Sequence, residues 1–252
     1  MTEQQAPILL WTGGWDSTFR LLQRVLVEEQ SVQPIYLINP DRQSVRQELK
    51  SMALISAKLC AEYPKAKTRL LELKIIGAFC LEPLKKYQQA FENILIKQYL
   101  GTQYAWLATY CEQMSWQNVE LAIHRDDNAQ SGAHQLLRPF VIDPEGDGIY
   151  QLNPDYQDTD EYTLFQRFRF PLFNFTKVQM QSIAEEAGFN ELMQLTWFCH
   201  TPMRGQHACG VCNPCSYTIK EGMGHRIPRL GLMRHTLRKY NPLYWLRARL
   251  MN

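Results

Sequence analysis

No apolar run in this chain approaches the roughly 18 residues that a membrane-spanning helix requires. Met1-Thr2-Glu3-Gln4-Gln5 supplies neither the basic segment nor the apolar stretch of an export signal. These two absences predict a cytoplasmic protein with no membrane partner. Net charge is nearly absent as well: 27 Lys and Arg oppose 25 Asp and Glu, so the molecule as a whole is not biased toward polyanions. An even set of cysteines is also missing. Seven thiols in a reducing compartment argue against a disulfide framework, and Cys60, Cys80 and Cys111, scattered in apolar or helical surroundings, read as small buried hydrophobes. What is plentiful is apolar mass, at 45% of 252 residues, enough for one large domain or one domain with an appendage.

Two regions lack charge of one sign. Residues 141–161 hold seven acids and no Lys or Arg, with turn signals at Asp143-Pro144-Glu145-Gly146-Asp147-Gly148 and Asn153-Pro154-Asp155. This acidic insertion is open to three readings: a lid, a docking surface for a basic partner, or a solvated loop. The tail from Lys220 to Asn252 is the reverse, with eight Lys or Arg against one acid, interleaved with Tyr240, Tyr244 and Trp245. It could bind nucleic acid or a protein partner, or dock as a helix on Leu243, Leu246 and Leu250.

The first chemical signal is Ile8-Leu9-Leu10-Trp11-Thr12-Gly13-Gly14-Trp15-Asp16-Ser17-Thr18. An apolar strand runs into two glycines, which let backbone amides approach an anion. A helix follows, and its first-turn amides and positive dipole end face the same place. That combination is a nucleotide phosphate site. No Gly-Lys-Ser/Thr follows, so it is not a Walker A loop. The second signal is Cys199, Cys209, Cys212 and Cys215, spaced C-x9-C-x2-C-x2-C, which suits a tetrahedral Zn2+; an iron-sulfur cluster is the rival. Four thiols leave no open coordination position, so the metal staples the C-terminal module, and His200 and His207 are not needed as ligands. Gly205 and Gly210 permit the tight turns.

Between the two signals, strands and helices alternate. Strands are predicted at 8–11, 33–38, 69–75, 119–123 and 168–172, and helices at about 17–29, 44–59, 84–100, 105–114 and 177–187, the last stopping at Gly188. This order predicts an α/β fold, a doubly wound parallel five-stranded sheet of Rossmann-like type, with a C-terminal four-cysteine zinc-binding module. Ligands then sit beyond the carboxyl ends of the strands, where the first loop, Asn39 and His124 lie.

The Thr-Gly-Gly-Trp-Asp-Ser stretch resembles the Ser-Gly-Gly-x-Asp-Ser loop of the PP-loop ATP pyrophosphatases, the amidating, thiolating and ligating enzymes of adenine nucleotide alpha hydrolase-like fold. With Cys199 and Cys209-Gly210-x-Cys212-x-x-Cys215 added, the chain resembles the 7-cyano-7-deazaguanine synthase (QueC-type) family from about residue 8 to 222. The resemblance implies a PP-loop domain over residues 1–190 and a zinc module with basic tail over 191–252. It implies ATP, Mg2+ and Zn2+ as cofactors, and adenylation of a carboxylate on a 7-deazapurine with release of pyrophosphate.

For the site, the resemblance puts the Gly13 and Gly14 amides and the Thr12, Ser17 and Thr18 hydroxyls on the diphosphate. Leu10, Trp11, Ile38 and Asn39 lie along the nucleotide. Asp16 caps the helix or holds Mg2+. Lys177, in Pro171-Leu172-x-x-x-x-Lys177, supplies positive charge, against the alternative of an exposed helix-start lysine, and Asp16, Ser17 and Lys177 form the catalytic set. Arg42 and Ser44 stand where the family carries Gln-Arg-His. Tyr104, Trp106 and Trp197 are candidates to stack on an aromatic acid, and His124 and Asp127 are candidates to face it. Ser131-Gly132 keeps the start of the family's substrate stretch, but Ala133-His134-Gln135 replaces the rest. That change resembles relatives in antiviral gene clusters, in which the activated acid is joined to an amine on a protein or nucleic acid. The implied assembly is a homodimer. Two other readings stay open: a tRNA-thiolating PP-loop enzyme, and a non-catalytic nucleotide-binding subunit.

Overall fold

Side chains alternate across a strand, so Leu10, Ile35 and Leu37 fall on one face of a sheet while Leu9, Trp11 and Tyr36 fall on the other. The computed structural model describes residues 6–38, 42–77, 82–125, 132–204 and 206–239. Its strands are Ile8–Leu10 (β1), Gln33–Ile38 (β2), Lys74–Gly77 (β3), Val119–Glu120 (β4), Val141–Ile142 (β5), Gln151–Leu152 (β6) and Phe168–Arg169 (β7). Five of them form one sheet in the order β3-β2-β1-β4-β7, and every pairing in it is parallel. Strand order reverses at β1, which puts the switch point between β1 and β4.

Helices cover both faces. Against Leu10, Ile35 and Leu37 lie Lys85–Lys97, Tyr104–Gln113 and Asp160–Phe165, which bring Phe91, Leu107 and Phe165. The opposite face receives Trp15–Leu22, Val45–Glu62, Lys177–Glu186 and Asn190–Met193 through Phe19, Met52, Met180 and Leu192. In chain order Trp15–Leu22 is α1, Val45–Glu62 α2, Lys85–Lys97 α3, Tyr104–Gln113 α4, Ala133–Leu137 α5, Asp160–Phe165 α6, Lys177–Glu186 α7, Asn190–Met193 α8, Asn213–Lys220 α9 and Arg229–Lys239 α10. A third, smaller cluster of Cys199, Ala208, Cys209, Cys215 and Ile227 makes the core of the C-terminal module. No described helix is long and apolar enough to cross a membrane.

Boundaries differ from the sequence expectations where turns intervene. The first helix gives way to a π-turn at Gln23–Val27, and Glu29 takes φ +54°. The third strand begins at Lys74 rather than 69, because Pro64–Thr68 forms a 3-10 turn and Leu70 makes only a bridge to Val32. β4 ends at Glu120, since Ile123 N–H turns back onto the Leu121 carbonyl at 2.8 Å. The acidic segment is an antiparallel β5–β6 hairpin, not a loose loop. Its Asp143 carboxylate accepts the Gly146 and Gly148 amides at 2.8 and 3.0 Å, and Tyr150 bridges Phe170 just past β7, shielding that sheet edge. Of the basic tail, α10 is described; residues 240–252, with Leu243, Leu246 and Leu250, lie outside the described residues.

A buried charge cluster locks α1 to the sheet. Glu120 of β4 is 3% exposed and takes Arg20 Nε at 2.8 Å, Arg20 Nη2 at 2.9 Å and Arg24 Nη1 at 2.9 Å. Desolvation makes such a network a weak source of net stability, yet removing Glu120 leaves two buried arginines with only the partly exposed Glu28 as counterion. Glu120→Ala is therefore expected to cost about 3–5 kcal/mol in urea unfolding, whereas a loss under about 1 kcal/mol, the range of exposed pairs, would show that the cluster is solvated.

Candidate functional site

The loop after β1 takes its shape from one glycine. Gly13 has φ +68°, and a Cβ there would sit 3.0 Å from Met52 Cγ and 3.1 Å from the Glu48 carbonyl, so the loop can lie on α2 only without a side chain. The next residue, Gly14, is the N-cap of α1 and offers no capping side chain, which leaves the first-turn amides of that helix for an external anion. Thr12 N–H donates to Ser17 Oγ at 3.3 Å, drawing the two ends of the loop together. Asp16 sits inside the first turn, so it does not cap the helix. Its Oδ1 is buried and accepts no hydrogen bond from the described residues, while Oδ2 lies 3.7 Å from His124 Nδ1.

A cavity of about 620 Å³ opens over this loop at the switch point of the sheet, within the range of small-molecule sites. Its walls come from β1 and the loop after it, from Ile35 and Leu37 of β2 with Arg42 and Gln43 beyond, from Thr102, Gln103, Tyr104, Trp106 and Leu107 around the start of α4, and from Leu121 to Ile123 past β4. His200 and Thr201 of the cysteine module close it. Arg42 supplies a cation to this wall. Its Nε is 3.0 Å from Glu48 Oε1 and donates to Ser44 Oγ at 3.2 Å, and Ser44 itself donates to Glu48 at 2.6 Å. On the other carboxylate oxygen, Tyr36 donates at 2.6 Å, and burial together with the Glu48 charge pushes its phenol well above the usual range. Glu48 is thus a buried, fully engaged anion whose effect is to hold the guanidinium at the cavity.

The four cysteines converge. All four sulfurs lie within 4.8 Å of one another, and the Cys209–Cys215 and Cys199–Cys212 pairs are 3.9 Å apart. Thiolates about 2.3 Å from one tetrahedral ion would be about 3.8 Å apart, so the set fits a single ion. Backbone amides prepare the sulfurs for it: Cys209 N–H points at Cys199 Sγ, and Val211 and Cys212 N–H point at Cys209 Sγ, at 3.2 to 3.4 Å. Contacts among the clustered sulfurs lower the Cys212 thiol from its usual range. The turn requires Gly210, at φ +77°, because a Cβ there would collide with the Gly231 carbonyl.

Of the residues singled out from the sequence, Leu10, Trp11, Thr12, Gly14, Asp16, Ser17, Arg42, Tyr104 and Trp106 line the cavity. Thr18 does not: it is fully buried beneath the loop and its hydroxyl accepts the Trp11 indole N–H at 2.9 Å. Ile38 packs on the opposite face of the sheet from Ile35 and Leu37, which do reach the cavity. Lys177 begins α7 as expected, but its ammonium is held by Glu221 at 2.9 Å and it is not among the lining residues. Trp197 backs onto the loop, donating its backbone N–H to the Gly13 carbonyl at 2.8 Å. Asn39, Asp127, Ser131 and Gly205 fall outside the described residues. Glu48, Gln43, Thr102, Gln103 and Thr201 escaped the sequence reading, since each is a common polar residue with no motif around it.

No protein-family model matches the chain, and no curated protein matches it. Among solved structures the chain is similar to the U34-tRNA thiolase NcsA from Methanococcus maripaludis with its 4Fe-4S cluster. The TM-score is 0.42 and the identity 13%, over 93% of this chain and 71% of that one.

Cys212→Ala and Gly210→Ala should each leave the purified protein without bound metal by elemental analysis and lower its thermal midpoint. Retention of a stoichiometric metal in Cys212→Ala would remove that residue from the ligand set.

Proposed function

We propose that the chain is a PP-loop ATP pyrophosphatase, an enzyme that adenylates a carboxylate with release of pyrophosphate. The observation that carries this reading is the convergence of the uncapped α1 N-terminus, the buried Asp16 Oδ1 and the braced Arg42 on one cavity. Amides and guanidinium complement the charge of a departing diphosphate without reorganising as it leaves. Asp16 Oδ1 fits Mg2+, a hard cation that takes one carboxylate plus phosphate oxygens and would neutralise charge on the polyphosphate. In the first step a substrate carboxylate oxygen bonds to the α-phosphorus of ATP, and the bond from that phosphorus to the bridging oxygen breaks with pyrophosphate. In the second, an amine nitrogen bonds to the acyl carbon, loses a proton, and the carbon–oxygen bond breaks with AMP.

The acid we favour is a 7-deazaguanine carboxylate, converted with ammonia to an amide, and on to a nitrile when a second ATP adenylates the amide oxygen, which leaves as AMP while the nitrogen loses its two protons, or coupled to an amine on a macromolecule. Trp106, Leu107 and Tyr104 give the cavity apolar and aromatic lining suited to a heteroaromatic ring, while Gln43, Gln103 and Thr102 offer donors and acceptors for its polar edge. The four thiols hold Zn2+ in a closed site that stabilises the module.

A second reading, thiolation of a tRNA base, draws on one feature: the four-cysteine site abuts the cavity through His200 and Thr201. It needs a sulfur carrier at the cavity, and among the described residues no cysteine lines it. Cys111 is fully buried, its thiol pushed up by burial to about 12. Iron and sulfide in the purified protein, with a brown colour, would favour this reading, and zinc alone would remove it.

Mass spectrometry after incubation with Mg-ATP and 7-carboxy-7-deazaguanine should show AMP that depends on the acid, and nitrile that depends on added ammonium. Bound ATP with no AMP would point instead to another acid or to a non-catalytic subunit. Arg42→Ala should slow AMP release about 10²-fold, the scale of one preorganised donor. Lys177→Ala should leave the rate near wild type, because Glu221 already neutralises that ammonium outside the cavity wall; the opposite ranking would return the role of cation to Lys177.

A further inference from the structure

The metal module and the nucleotide cavity share two consecutive residues. His200 and Thr201 line the cavity, and Thr201 Oγ1 lies 3.3 Å from the Sγ of Cys209, one of the four clustered sulfurs. The segment leading into them is anchored to the phosphate loop. Trp197 N–H donates to the Gly13 carbonyl at 2.8 Å, and the half-buried Arg226 guanidinium donates to Thr196 Oγ1 at 2.8 Å while lying 5.0 Å from the Phe198 ring and 5.6 Å from the Trp15 ring. From Gly13 to Cys209 the chain of contacts is unbroken.

We infer that Thr201 is a positioning residue through which the bound metal shapes the nucleotide cavity, so that metal and Mg-ATP bind with positive coupling. The inference rests on reading the cavity as a nucleotide site. A thiolate committed to a metal keeps its lone pairs directed, so the Thr201 hydroxyl donates to Cys209 in one orientation and its methyl group, with the His200 ring, keeps one position in the cavity wall. With the sulfurs not held by an ion the 199–201 turn loses that reference, and the wall facing the nucleotide loses its shape. Because binding free energies are linked, whatever metal does for nucleotide affinity, nucleotide does for metal affinity.

The test uses the full chain loaded with Co2+, whose thiolate charge-transfer absorption reports on the site. Metal extraction by 4-(2-pyridylazo)resorcinol is timed with and without Mg-ATP, and nucleotide affinity is measured by calorimetry on the same samples. Mg-ATP is expected to slow extraction at least about fivefold, the lower end of ordinary allosteric coupling, and to shift the cobalt absorption. Thr201→Ser, which keeps the hydroxyl, should behave as wild type. Thr201→Val, matched in shape but without the donor, should bind Co2+ with the same tetrahedral absorption and show neither the slowing nor the shift. It also controls for chelation of cobalt by ATP itself. Equal protection in Thr201→Val, or none in a wild type that binds Mg-ATP, overturns the inference while leaving the nucleotide reading standing. Failure of wild type to bind Mg-ATP overturns both.

Discussion

The hydrogen bond from Trp197 N–H to the Gly13 carbonyl, 2.8 Å long, joins residues 184 positions apart in sequence and is the contact on which the site turns. Gly13 can face that way only because its φ is positive, and it can lie against Met52 and Glu48 only because it has no side chain. The same loop thereby meets three partners at once: α2 below it, the helix it caps ahead of it, and the C-terminal module above it. Taken alone the bond is worth about 0.5–1.5 kcal/mol. Its importance is geometric, since it brings the four-cysteine module against the glycine loop.

Energy is distributed unequally around that contact. Structural tetrathiolate sites of this kind contribute on the order of 10–16 kcal/mol when metal binds, an order of magnitude more than any one hydrogen bond in the module. An ion held by the four sulfurs would therefore outweigh the small apolar core that Ala208 and Ile227 make beside them. In the sheet the balance is different. Two apolar cores on opposite faces dominate, and the Glu120 cluster with Arg20 and Arg24 orients α1 rather than driving its burial. Since α1 carries its uncapped amides at one end and this ion cluster at the other, the cluster aims the helix at the cavity.

Polar groups in the cavity are held by groups outside it. Arg42 reaches the wall because Glu48 is buried and saturated by Tyr36 and Ser44. Glu48 has no motif of its own. It is one polar residue among many on an 18-residue helix, and only the packing of α2 onto β2 shows what it does. The lysine that a motif did point to, Lys177, occupies its expected helix start and is turned to Glu221. The helix start is a local property, written by Thr176 and Gln179 in a capping box, whereas the direction of a long flexible side chain is settled by whichever counterion the fold brings near.

By itself the sequence determined the parallel α/β sheet, the glycine loop with Asp16 and Ser17 in the first turn of a helix, and the set of four cysteines. All of these are short-range patterns: apolar periodicity, a Gly-Gly step and thiol spacing act within a dozen residues, so they can be read along the chain. Tertiary structure alone decided that β4 and β7 are only two residues long, that the acidic segment is a hairpin guarding a sheet edge, that Thr18 faces away from the cavity, and that Arg42 faces into it. It also decided that His200 and Thr201 belong to the cavity as much as to the cysteine knuckle. These outcomes depend on which surfaces meet across distances of tens to hundreds of residues, and no local rule carries that information.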